Sequence, residues 1–125
     1  MRINVPLARA RTACVGCNDM AGARSGRVGN KLLDMLPSTA PREFVRRCET
    51  AELGYGDVLV EVGSPLTHVY FSMRGFISRI AVLDGECWID MGLIGDDGML
   101  GALIALDVWE TPMRAAVRGA GAAVR

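Results

Sequence analysis

The residues with the clearest chemical potential lie between Gly95 and Ala115, in "GDDGMLGALIALDVWETPMRA". Gly95, Leu100, Gly101 and Ala102 form a glycine-punctuated turn leading into a short apolar stretch. Met113, Arg114 and Ala115 follow a proline. Free N–H groups at a helix start attract an anion. A guanidinium on the next strand can grip the same anion as a fork. The stretch therefore raises the question of whether it is a pocket that cradles a phosphate or only the shell of one. Asp96 and Asp97 stand side by side in the glycine-flanked loop. Their short side chains bond their own backbone there, so they read as turn formers rather than an acid–base pair.

A second possible chemistry sits at the other end. Cys14-Val-Gly-Cys17 has the C-x-x-C spacing that ligates zinc or an iron–sulfur cluster. Such sites need four ligands, and Cys48 and Cys87 do not form a second close pair. Those two read as core thiols. His68 is the one histidine in the sequence, too few for a histidine-based metal enzyme. No serine has the histidine and aspartate companions of a hydrolase triad. The expectation is therefore a protein that is not an enzyme, with Cys14 and Cys17 as the metal candidates.

The elements that must position these residues change character along the chain. With 125 residues, half of them hydrophobic, the sequence can bury one domain core. Residues 1–29 show no sustained period and read as a flexible basic leader. Residues 1–47 carry nine Lys/Arg against three acids, and residues 48–125 carry five against eleven. A basic arm on an acidic body can meet nucleic acid or a membrane, but a solvated leader explains it as well. No apolar run reaches the roughly 18 residues of a membrane span, and the leader lacks a secretion signal's apolar core. The expected location is the cytoplasm, with reduced cysteines.

Residues 30–125 read as the folded unit. "NKLLDMLP" makes a short helical turn stopped by Pro37. "STAPREFVRRCE" makes a second helix, with Ser38 or Thr39 as cap and Pro41 in the first turn. The period then switches to two. Val58, Val60 and Val62 share one face in "DVLVEVG", and Val69, Phe71 and Met73 share one face in "HVYFSMRG". His68 falls on that strand. Asp84-Gly85 marks a two-residue hairpin turn. Asp90 and Glu86 alternate outward, and Trp88 and Trp109 read as packing anchors. "MLGALIAL" interrupts the strands with one or two helical turns, and "MRAAVRGAGAAVR" returns to strand. Short strands with glycine joints predict a mainly β, antiparallel jelly-roll or β-roll with short N-terminal helices.

The segment "GDVLVEVGSPLTHVYFSMRG" resembles the sensor domain of Crp/Fnr-type transcription regulators, a cyclic-nucleotide-binding β-roll. Gly56, Leu59 and Gly63 match one strand-pair motif. Val69, Tyr70, Phe71 and Gly75 match the next, and "IGDDGMLG" is similar too. The resemblance covers about Asn30 to Arg125. It implies a ligand-sensing effector domain. It also implies that the dimerisation helix and helix-turn-helix of full-length relatives are missing from this sequence, so that neither DNA binding nor the relatives' homodimer is expected of this chain alone.

In cyclic-nucleotide-binding members the phosphate cassette runs F-G-E, then P-R-[ST]-A. Here Leu100 and Gly101 keep the backbone pattern, but Ala102 stands where the acid holding the ribose is expected. Read without a gap from Pro112, Met113 stands at the arginine position. A loop one residue longer would put Arg114 there, ahead of Ala115 and Ala116. The resemblance therefore implies a degenerate cassette over Gly95, Leu100, Gly101, Ala102, Met113, Arg114 and Ala115. Any cyclic nucleotide or other small effector would bind weakly, and no cofactor is assigned. The alternatives are a cysteine-based metal or redox sensor and a structural β-roll fragment without a ligand.

Overall fold

The computed structural model describes residues 27–125 apart from Ser38 and Glu86. Cys14, Cys17 and nearly all of the predicted leader lie outside the described residues.

Two short helices lead in, α1 at Lys31–Asp34 and α2 at Ala40–Arg47. Asn30 caps α1: its side-chain oxygen accepts from the N–H groups of Leu32 and Leu33. This satisfies donors that the first helical turn leaves free. In α2 the predicted proline is in the first turn, but Thr39 at the N-cap makes no side-chain cap bond. Its backbone is already helical there, outside the extended conformation that aims a capping oxygen back at the helix. Phe44 meets Phe71 edge-on, with ring centroids 5.5 Å apart, which seats α2 against the sheet.

Six antiparallel strands follow: β1 (Thr50–Leu53), β2 (Val58–Val60), β3 (Tyr70–Leu83), β4 (Cys87–Ile94), β5 (Met99–Leu100) and β6 (Arg114–Val124). A 3-10 helix, Ala102–Leu106, lies between β5 and β6. The main path is β1-β6-β3-β4, with β2 on β6 and β5 on β3. The predicted antiparallel β-roll is the fold observed. Asp84 and Gly85 both have positive φ at the β3–β4 turn, as the D-G dipeptide requires.

Two strand readings change. The segments around Met73 and Ile77 are one long strand, because Gly75 absorbs a left-handed φ of 79° within β3. Register shifts surround it, between Ser72 and Arg74, Arg74 and Phe76, and Phe76 and Ile77. Val58 and Val60 do not share a face: a shift separates their partners Ala116 and Ala115, and one extra residue reverses the side-chain direction. Val62 lies beyond β2, exposed in a turn, and His68 lies ahead of β3 rather than on it.

One face of the sheet holds the core: Leu53, Val60, Leu66, Tyr70, Ile77, Ile94, Leu100, Ala115, Val117 and Ala123. Ile77 and Val117 are opposite each other and fully buried. No described helix is long and apolar enough to cross a membrane.

Candidate functional site

The turn before the 3-10 helix is built by glycine. Gly101 is buried with φ at 94°. A Cβ there would come 2.8 Å from the carbonyl of His68, so glycine lets this turn press against the segment entering β3. Leu100 beside it is in the core and pairs with Tyr70. Gly95 is half-buried and Ala102 exposed. Asp96 and Asp97 occupy the turn closed by Gly98 N–H to the carbonyl of Gly95, as their types suggested, and Asp96 also meets Lys31 at 3.2 Å.

The start of β6 sorts the remaining cassette residues by face. Ala115 and Val117 point into the core, while Arg114 and Ala116 belong to the opposite face. Met113, just ahead of β6, is half-buried. Its backbone is clamped by the Thr111 hydroxyl, which accepts from Met113 N–H and donates to its carbonyl, each at 3.2 Å. Arg79 of β3 sits opposite Ala115 and brings Nη2 to within 3.3 Å of the Met113 sulfur. The core cluster thus unites Leu100 with Ala115, and Arg114 is not in it.

Arg114 instead helps to line a cavity of about 240 Å³ on the opposite face, with Val58, Ile80, Ala116, Trp88 and Asp90. Gly56 and Arg118 complete it. The Arg114 guanidinium lies 3.1 Å from Glu61 Oε1, and its central carbon lies 4.9 Å from the Trp88 ring centroid. Its Nε is shut off from water without a hydrogen-bond acceptor. Asp90 accepts a hydrogen bond from the Ser78 hydroxyl.

Sequence reasoning missed the grouping of Glu61, Trp88 and Arg114. They come from three separate strand regions, and only the sheet register joins them. Trp88 and Trp109 are both about half exposed, so neither is a buried anchor: Trp88 is on edge strand β4, and Trp109 is in the loop before β6. Cys87 is exposed and Cys48 half-buried, so the reading of both as core thiols does not hold for Cys87. Among the described residues no group of His, Cys, Asp and Glu is arranged to hold a metal ion.

No family model matches the chain, and no curated protein matches it. Solved structures do. The N-terminal domain of a transcriptional regulator from Streptomyces coelicolor A3(2) is similar at a TM-score of 0.64 and 18% identity, over 76% of this chain and 66% of that one. A cyclic nucleotide-binding-like protein from Brucella abortus is similar at 0.59 and 20% identity, over 75% and 81%. The c-di-GMP responsive global regulator CLP of Xanthomonas campestris is similar at 0.59 and 15% identity, over 67% and 42%. The chain spans less than two thirds of the length of either regulator. Its fold is the β-roll shared by these transcription-regulator and cyclic nucleotide-binding-like structures.

Proposed function

We propose that this chain is a ligand-sensing effector domain of a transcription regulator, with a phosphate cassette that has lost its two gripping side chains. The observation that carries the reading is the facing of β6. Ala115 and Val117 line the core, and Arg114 turns to the other side towards Glu61 and Trp88. A one-residue step along a strand reverses the side chain, which supports placing neutral Met113 at the position of the family's arginine. Ala102 at the acid's position is neutral as well.

Each charge-assisted hydrogen bond contributes roughly 1.5–3 kcal/mol. Loss of two lowers affinity by about two to four decades. The domain would respond to an effector other than tightly bound cyclic AMP, through a shift between two states of the roll and its attached segments. Reading DNA would fall to segments outside the roll.

Calorimetric titration with cyclic AMP tests this. The parent chain gives no heat at micromolar ligand. The double variant Ala102→Glu/Met113→Arg gains binding by at least about tenfold. Tight binding by the parent, or a gain from Ala102→Glu that Arg114→Gln abolishes, overturns the reading.

A further inference from the structure

We infer that the cavity on the face opposite the core is a second binding site, for a small monocarboxylate with a flat apolar body. It goes beyond the proposed sensing role, because it shares none of the cassette positions Gly101, Ala102 and Met113.

Val58, Ile80 and Ala116 supply an apolar lining, and Trp88 supplies an aromatic surface that is 50% exposed. A flat body can lie against such a surface and remove both from water. At about 240 Å³ the cavity has room for about eight water-sized groups, close to a benzoate and small for a nucleotide.

The polar groups select charge. The Arg114 side chain is 27% exposed and is held by Glu61 on one side and the Trp88 ring on another. Its Nε still has no acceptor. A guanidinium carries five donors, and a buried donor without an acceptor is costly. An entering carboxylate brings two acceptor oxygens to the exposed part of a guanidinium already oriented, while the sealed Nε stays out of its reach. Arg118, exposed on the same cavity, makes no ion pair among the described residues and offers a second cation. Asp90 and Glu61 offset the two arginines, so a monoanion is favoured over a dianion such as phosphate.

The test is a titration of Trp88 fluorescence in a Trp109→Phe background with benzoate, at ionic strength held constant by sodium chloride. Benzamide and inorganic phosphate are the neutral and dianionic controls. We expect a saturable change with benzoate that neither control reproduces. Arg118→Gln, an exposed substitution that leaves the core intact, should weaken it roughly tenfold or more, and Met113→Arg should leave it unchanged. No saturable response, an equal response to benzamide or phosphate, or indifference to Arg118→Gln overturns the inference. A change of affinity in Met113→Arg also overturns it, by locating the ligand on the core face. Failure of this titration leaves the cyclic AMP result standing, since that result turns on Ala102 and Met113 and on a different probe, and Arg118→Gln plays no part in it.

Discussion

The buried side-chain amide of Asn30 donates to the backbone carbonyl of Ser72, 42 residues further along, at 2.8 Å. The same nitrogen donates to the carbonyl of Gly98 at 3.0 Å, while the side-chain oxygen caps α1. One residue therefore binds the lead-in helix, the start of β3 and the turn before β5. Asn30→Ala strands four buried or part-buried backbone groups, each costing about 1–3 kcal/mol when unpaired. With partial relaxation we expect a loss of about 3 kcal/mol and a fall in Tm of about 10 °C, followed by circular dichroism. Lys31→Ala removes only the exposed ion pair to Asp96 and should shift stability by less than about 1 kcal/mol.

Two glycines separate steric from conformational demands. Gly121 faces β3 so closely that an added Cβ would overlap the backbone of Arg74. Gly85 meets nothing within 4 Å, yet holds a φ of 76°. Gly121→Ala must push β6 away from β3 and should cost about 3 kcal/mol or more. Gly85→Ala incurs only the left-handed backbone penalty of about 1–2 kcal/mol. Urea midpoints of the two variants should differ accordingly, and equal midpoints would refute the close approach of the strands.

Burial pushes the Cys48 thiol above its ordinary value. The folded state then holds that proton at a pH where the unfolded chain releases it. Its contribution is fully present below the unfolded pKa, near 9.0, and is lost as pH rises through the folded one. In reducing buffer, the stability of the parent relative to Cys48→Ala should fall as pH rises above about 9.0. Peptide mapping after brief alkylation at pH 8 should find exposed Cys87 labelled faster than Cys48.

Much of the roll was legible because its signals are local. Asp84-Gly85 specifies its turn, Pro37 follows the short first helix, and the glycines at 56, 63, 75 and 101 all take positive φ. Parity was legible only where strands are regular. It holds for Arg114 and Ala115, which lie in an unbroken stretch of β6 against β3. It failed at Val58 and Val60, where a bulge intervenes. Asn30 escaped notice because its cap was readable from its type but its bonds to Ser72 and Gly98 were not. The Glu61–Arg114–Trp88 group needed the pairing of β2, β3, β4 and β6, which no short window of sequence contains.

Among the described residues, β1 and β2 each find their sheet partner only in β6, and Thr50 is matched with Val124. On the ribosome, both early segments must wait until Arg114 and the residues after it have emerged before they can pair. A nascent chain halted ahead of Arg114 would hold Leu53 and Val60 with no sheet to shelter them, in a form that chaperones and proteases recognise. Maturation of this domain is thus governed by long loop closures, and it should be slow for a chain of its size.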